Sequence, residues 1–302
     1  MKAIALIGPT AVGKTAHSFA LAEALGAEII SADSRQVYRY MDVGTDKASP
    51  EARRQVVHHL IDVVDPDQIF TTSDFCALAQ DAARRMAARG KVPLLVGGTP
   101  FYYQAFHYGG VGAPVPPDED FRQAMERLSS AELYERLCEL DADRAAQLAP
   151  GDRYRLIRAL EICHAGHKAS DFAPHPAAQA HDVLYLGLTK DKEVLKRRIA
   201  CRVKEQFEGG YPEEVAWLLA QGYSPDLPSM KGFGYKELVA YHQGRMTYHE
   251  ALERDIIATC QFAKRQRTWW RKFDAQWFDL DLMSSEEVTR AMITAAKAFL
   301  DR

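Results

Sequence analysis

An apolar run at residues 3–7 leads into Gly8-Pro-Thr-Ala-Val-Gly13-Lys14-Thr15, and an alanine-rich stretch of helical periodicity follows to about Leu25. The order strand, glycine loop, helix matches the phosphate-binding pattern G-x-x-x-x-G-K-[ST], and the flanks are the context that supports the match. In such a loop the backbone N–H groups of Gly8, Pro9, Thr10, Ala11, Val12 and Gly13 (Pro9 excepted) wrap a phosphate, helped by the partial positive charge at a helix N-terminus. Lys14 then offers a cation to the distal phosphate, and the Thr15 hydroxyl helps hold a Mg²⁺ bridging phosphate oxygens. The loop does not reveal which polyphosphate it takes.

The chain has 302 residues, 47% of them hydrophobic and 26% charged, enough to bury a large α/β core with an insertion. A formal net charge of −3 leaves no global footprint for nucleic acid, so such a partner must be sought in local clusters. The cysteines Cys76, Cys138, Cys163, Cys201 and Cys260 show no C-x-x-C pairing and read as packed thiols. No apolar run is long enough to span a bilayer, and the sequence opens on a strand pattern without a leader, so a cytoplasmic location with no membrane partner is expected. With no coiled-coil seam, a monomer is expected.

Along the chain, residues 27–31 lean towards strand and stop at the polar segment beginning Asp33-Ser34-Arg35-Gln36. An apolar run at 56–62 ends in Asp62, and Thr72-Ser73-Asp74 signals a helix cap opening a helix to about Arg89. Residues 92–96 read as a strand running into Gly97-Gly98-Thr99-Pro100, a second glycine turn at a strand end. The proline- and glycine-rich residues 111–117 read as a linker, and residues 118 to about 166 are helical throughout, with Phe172-Ala-Pro-His-Pro176 closing that stretch. A strand resumes at 183–188, helices follow at 192–207, 213–221, 235–242 and 247 to about 271, and a strand at 276–280 precedes a closing helix. The expected fold is α/β, a P-loop NTPase-like parallel sheet flanked by helices, with an all-helical insertion: core at 1–115, insertion at 116–181, core again at 182–302.

In open α/β sheets ligands gather at the carboxyl ends of strands, so residues 33–36 should lie beside the phosphate loop. An ordinary P-loop hydrolase carries a carboxylate at the end of a core strand to help hold Mg²⁺, whereas the strand at 92–96 ends in Gly-Gly-Thr. The strand-end carboxylates are instead Asp33 and Asp62; Asp33 fits a general base and equally fits an ordinary turn residue. Arg198 and Arg202, four apart on one helix face, could clamp a leaving diphosphate or belong to a solvated face paired with Glu205. The stretch from Gln261 to Lys272 holds five basic residues, no acidic one and three aromatics, a mixture that suits RNA phosphates and unpaired bases, or an amphipathic helix with its aromatics inward. Tyr154-Arg-Leu-Ile-Arg158 is a smaller cluster of the same kind.

Taken together the sequence resembles the bacterial tRNA dimethylallyltransferase family, also called tRNA isopentenyltransferases. The resemblance is carried by the loop at 8–15, Ile30-Ser-Ala-Asp-Ser-Arg-Gln-Val-Tyr38, Met41-Asp-Val-Gly-Thr45, His58-His-Leu-Ile-Asp62, Val96-Gly-Gly-Thr99 with Tyr102-Tyr103, Arg158-Ala-Leu-Glu161, Gly234-Tyr-Lys-Glu237, and Ala263-Lys-Arg-Gln266 with Thr268-Trp269. These segments run in the family's order over nearly the whole chain.

The resemblance implies transfer of a dimethylallyl group from dimethylallyl diphosphate to the exocyclic N6 amine of the adenosine 3′-adjacent to the anticodon, with Mg²⁺ as cofactor and the tRNA anticodon stem-loop as partner. By position Asp33 is then the base, Thr99 lies by the reaction channel, and Lys14, Thr15 with Mg²⁺, and Arg202 steady the departing diphosphate. Positions matching the family's tRNA contacts are Asp33, Ser34, Arg35, Gln36, Thr99 and Arg122; Tyr154, Arg155, Leu156, Ile157 and Arg158; Lys231, Gly232, Phe233, Gly234, Tyr235 and Lys236; and Lys264, Arg265, Gln266, Arg267, Thr268, Trp269, Trp270 and Arg271. The chain departs from the family at Pro100, where glycine is usual, which would pose Thr99 differently, and at Val12, where serine is commoner. Rival readings are a P-loop small-molecule kinase that binds ATP as its nucleotide, an enzyme prenylating free adenine nucleotides, and a tRNA-binding protein with a degraded site.

Overall fold

The computed structural model describes residues 1–110, 113, 115–172 and 179–302; parts of the expected linker (111, 112 and 114) and of the closing Pro-rich segment (173–176) lie outside them. Two compact units emerge, Met1–Gly109 with Ala180–Arg302, and Gly110–Gln179.

The first unit runs β1 (Lys2–Ile7), α1 (Lys14–Leu25), β2 (Ala27–Ser31), α2 (Pro50–Gln55), β3 (His58–His59), α3 (Thr72–Ala88), β4 (Val92–Val96) and α4 (Pro100–Tyr108). The second unit holds α5 (Glu119–Glu126), α6 (Ser130–Leu140), α7 (Ala142–Ala145) and α8 (Arg153–His164), closed by a single 3₁₀ turn at Ala169–Phe172. The chain then returns to the first unit through β5 (Asp182–Thr189), α9 (Lys192–Glu208), α10 (Tyr211–Ala220), α11 (Tyr235–His242), α12 (Tyr248–Trp270), β6 (Ala275–Asp279) and α13 (Ser285–Leu300).

The six strands form one parallel sheet in the order β3-β2-β4-β1-β5-β6. Its central strand explains why the sequence reads as an unbroken apolar run. Ala3, Ala5 and Ile7 of β1 pack on one face with Phe75, Met86, Tyr103 and Trp270, while Ile4 and Leu6 pack on the other with Leu21, Met292 and Ala296. A parallel sheet covered on both faces has no polar side, so the period-two alternation vanishes. A third apolar cluster, Val203, Phe207, Tyr211, Leu238 and Ala263 among others, joins α9 to α12 and brings them over the segment containing Val37 and Met41.

Three local expectations change. The cap of α3 is Thr71, one residue earlier than the expected signal: its hydroxyl accepts from the Asp74 N–H, and the Asp74 carboxylate accepts from the Thr71 N–H at 2.8 Å, a reciprocal capping box. The apolar run at 56–62 yields only a two-residue strand, because Leu60 and Asp62 enter the left-handed region at φ 63° and 57°. The glycine turn expected to include Pro100 ends at Thr99, because Pro100 is the first residue of α4; proline suits that position because its missing N–H is unpaired there anyway. Burial of Tyr102, Tyr103, Ala105 and Phe106 pulls this aromatic stretch into a helix despite its β-leaning composition.

The helical unit begins at Gly110 and ends at Gln179, where the sequence reading set 116 and 181. Ala113 and Val115, read as linker, pack into its core beside Leu133, Leu156 and Leu160. At the other end the Ala180 N–H donates to the His107 carbonyl at 3.0 Å and the Asp182 N–H to the Met1 carbonyl at 3.0 Å, so these residues already belong to the sheet unit. The buried Glu161 carboxylate organises the helices around it: it accepts from the Asp118 N–H at 2.7 Å and from Arg122 Nε at 2.8 Å, and it is bonded to Arg158.

Candidate active site

A cavity of about 540 Å³ opens within the sheet unit at the carboxyl ends of β1, β2 and β4, where a parallel sheet leaves its ligand crevice. The loop between β1 and α1 forms its floor. Gly8, Ala11 and Gly13 take φ of 147°, 61° and 114°, positive values that curl the loop tightly between β1 and α1. A side chain on Gly8 would meet the Leu188 carbonyl oxygen at 2.7 Å, so glycine is required where the loop crosses β5. Lys14 Nζ donates to the carbonyls of Gly8 at 2.9 Å and Pro9 at 3.0 Å, which holds the ammonium under the loop. Burial and the neighbouring Arg202 charge draw its pKa down to about 8, against the opposing pull of Asp33 and Asp46.

Cations converge on the loop from α9. Arg202 Nη2 donates to Thr10 Oγ1 at 2.8 Å and Nη1 to Asp46 at 3.3 Å, while its Nε is buried with no partner. Arg198, one turn earlier, reaches the Val12 carbonyl at 3.5 Å. Helical spacing puts both guanidiniums on one face, and an unpartnered N–H donor beside a phosphate loop is a group prepared for an anion.

The opposite wall comes from the ends of β2 and β4. Asp33 Oδ1 accepts from the Arg35 N–H at 2.9 Å, a side-chain turn that leaves Oδ2 towards Gly98, where an added Cβ would lie 3.3 Å from it. Thr99 Oγ1 accepts from the Ser34 N–H at 3.0 Å and bonds the Ser34 hydroxyl at 3.2 Å; the Thr99 N–H donates to the Ala32 carbonyl at 3.1 Å. Pro100 follows directly, as the first residue of α4. Phe233 and Phe262, ring centroids 5.1 Å apart, supply apolar surface to the same cavity.

Residues 36–273 match the family described as IPP transferase. The chain belongs to that family. Residues 1–62 also match a family described as isopentenyl transferase. A tRNA dimethylallyltransferase from Roseiflexus sp. (strain RS-1) is 44% identical over 273 residues, which are 89% of this chain and 90% of the relative. The crystal structure of a tRNA isopentenylpyrophosphate transferase from Bacillus halodurans superposes with a TM-score of 0.75 at 35% identity, covering 99% of this chain and 97% of the other. A eukaryotic dimethylallyltransferase acting on tRNA superposes with a TM-score of 0.85 at 27% identity, covering 100% of this chain and 80% of that one.

In this IPP transferase the residues singled out from sequence divide by burial. The phosphate loop, Asp33, Ser34, Thr99 and Arg202 meet in one cavity. Asp62 does not join them, being held by Lys47 at 2.7 Å and Arg53 at 2.6 Å. Arg35 and Gln36 line the cavity but spend their donors on the fold: Arg35 Nη2 donates to the Ser229 carbonyl at 2.7 Å, passing over Gly232, and Gln36 Nε2 donates to the Thr45 carbonyl at 3.2 Å.

Several expected RNA contacts are core residues. On α12 and its C-cap Arg271, the side chains of Lys264, Arg265, Thr268 and Arg271 are exposed and Arg267 and Trp269 half-buried, but Gln266 and Trp270 are buried. In α8 Tyr154 and Arg155 are exposed, whereas Leu156 and Ile157 fill the helical core. Arg122 and Arg158 are committed to Glu161. At the entry to α11 Lys231 and Lys236 are exposed while Gly234 and Tyr235 are buried. The reason is geometric: a helix rotates 100° per residue, so a contiguous run never presents one face. Asp46 was missed; no local pattern marks it, and only its pairing with Arg202 brings it in.

Among the described residues no group of three or more His, Cys, Asp or Glu side chains converges as a metal cage. Thr15, exposed in the first turn of α1 and lining the cavity, fits a Mg²⁺ whose other ligands are phosphate oxygens and water, the usual coordination of that ion.

Proposed function

We propose that this IPP transferase moves a dimethylallyl group from dimethylallyl diphosphate to the exocyclic N6 amine of the adenosine 3′-adjacent to the anticodon of tRNA, releasing diphosphate. The observation that carries this reading is the shared cavity: a phosphate cradle with Lys14, Arg198 and Arg202 faces Asp33 and Thr99 across a wall containing Phe233 and Phe262. That apolar wall suits a five-carbon allylic chain, which has no polar group to satisfy. The relatives named above are called a tRNA dimethylallyltransferase and a tRNA isopentenylpyrophosphate transferase, which supports prenyl transfer to tRNA.

The chemistry follows from the parts. The allylic C–O bond breaks with its electron pair leaving on the diphosphate, where Lys14, Arg202 and the loop amides receive the growing negative charge in a preorganised site. The adenine N6 forms the new C–N bond, and its proton passes to Asp33. Thr99, fastened to Ser34, orients the amine against that carboxylate. Mg²⁺, held by Thr15 with the diphosphate oxygens, would add charge neutralisation to the leaving group. The adenine must be unstacked to reach a cavity of this depth, a demand met most easily in a single-stranded loop. Exposed Lys264, Arg265, Arg271, Lys231 and Lys236 supply phosphate contacts around it.

The test is incubation with dimethylallyl diphosphate, Mg²⁺ and unmodified tRNA, with AMP and ATP as parallel substrates. Dimethylallyl-adenosine next to the anticodon, formed in equal amount with diphosphate, is the expected product. ATP turnover without prenyl uptake would instead establish the kinase reading.

A further inference from the structure

We infer that Gln266 is a positioning residue for the transfer, setting the distance between the donor's phosphate cradle and the acceptor turn. It comes from α12, yet its side chain, only 2% exposed, bridges two strand-end loops far from it in sequence. Gln266 Oε1 accepts from the Thr10 N–H at 2.8 Å, and Nε2 donates to the Gly98 carbonyl at 2.6 Å. One partner is an obligate donor and the other an obligate acceptor, so a single orientation of the amide satisfies both.

Each partner stands beside a reacting group. Thr10 also receives Arg202 on its hydroxyl at 2.8 Å, and Gly98 precedes Thr99. A Cβ on Gly98 would lie 2.7 Å from Gln266 Nε2 and 3.3 Å from Asp33 Oδ2, so the bare glycine lets the amide and the carboxylate approach the same Cα. The amide's hydrogen bonds both go to backbone groups of these loops. It acts through the loops it ties together, and it withdraws the Thr10 N–H from the phosphate cradle. Group transfer needs the reacting atoms about 3–3.5 Å apart, so a shift between these loops costs turnover more than it costs binding of either substrate.

Two substitutions in the full-length enzyme test this. Gln266→Met keeps the length and loses both bonds; the expected result is a fall in kcat on the order of 10²-fold, the usual penalty for an ångström of misplacement, with KM for donor and tRNA near wild type. Gln266→Glu has a pH signature. When protonated, the carboxyl presents an O–H to Gly98 and a carbonyl to Thr10, reproducing the amide; when ionised, it faces the Gly98 carbonyl and Asp33 without a donor. Burial and those neighbours favour its neutral form. The ratio of wild-type to Gln266→Glu turnover should therefore be near one at low pH and rise with pH. Asp33, Lys14 and Arg202 surround the position in both proteins, so the introduced carboxyl is the one ionisable group by which they differ.

Wild-type kcat in Gln266→Met, or a change confined to KM, would overturn the assignment. Should that variant fail to fold, a pH-independent ratio for Gln266→Glu does so by itself. The inference rests on the transfer reaction proposed above, and the two fail differently: if that reading is wrong, the wild-type enzyme itself makes no prenylated tRNA.

Discussion

Arg202 donates to the hydroxyl of Thr10 at 2.8 Å, fastening the middle of α9 to the tip of the phosphate loop, and its buried Nε still lacks a partner. A guanidinium so placed keeps N–H donors, Nε–H among them, unspent for an incoming anion. Replacing Arg202 by Met should lower kcat/KM for the donor by about 10²–10³-fold, the effect of losing one preorganised donor to a developing anion. Binding of tRNA alone, followed by filter retention or fluorescence, should be unaffected; an equal loss of both would remove Arg202 from the leaving-group site.

Asp33→Ala should abolish transfer and leave tRNA binding nearly intact, because the carboxylate is needed for the amine's proton and not for grip on the backbone. Single-turnover assays with saturating tRNA separate the two quantities.

The Lys14 ammonium, drawn down to about 8 by burial and Arg202, is charged below that value and neutral above it. kcat/KM for the diphosphate donor should therefore show a descending limb centred near pH 8 in the free enzyme. In Lys14→Arg that limb should move above the accessible range, because guanidinium does not deprotonate in proteins. An unmoved limb would assign it to another group.

Neutralising exposed Lys264, Arg265 and Arg271 on α12 should weaken tRNA binding and flatten its salt dependence, by roughly 0.7–0.9 in the log–log slope for each phosphate that the variant leaves unneutralised. Changing Trp270 on the same helix should act on folding instead, since it is buried against Tyr103 at 5.1 Å between ring centroids.

Glu161→Ala strands two guanidiniums and the Asp118 N–H, and should destabilise the helical unit by about 3–5 kcal/mol, the penalty for breaking a buried ion pair. Burial alone would raise the Glu161 pKa, but the Asp118 N–H, Arg122 and Arg158 outweigh it and hold the value below 4.5. A carboxyl depressed in the folded state stabilises fully above its unfolded value and loses that contribution as pH falls through the folded one. The heat stability of the wild type should therefore fall below about pH 4.5, and the variant should lose this part of the acid dependence.

What was legible in the sequence was whatever is written locally or in fixed order. The octet from Gly8 to Thr15 specifies its own backbone, since a glycine loop between an apolar strand and a helix has few other conformations. The unbroken apolar runs of β1, β4 and β5 announce a sheet covered on both faces, and the collinear motifs announce the family. Tertiary structure alone decided which members of each motif face the cavity. Arg35 and Gln36 sit inside a matching segment yet brace the fold, Leu156 and Trp270 sit inside basic runs yet fill cores, and Asp46, Gln266 and Gly98 become a site only when α9, α12 and the end of β4 close over one loop. The physical reason is that hydrophobic burial chooses the rotation of each helix and the approach of each loop, and those choices depend on pairings such as that of Thr10 with Gln266, 256 positions apart, which no local pattern records.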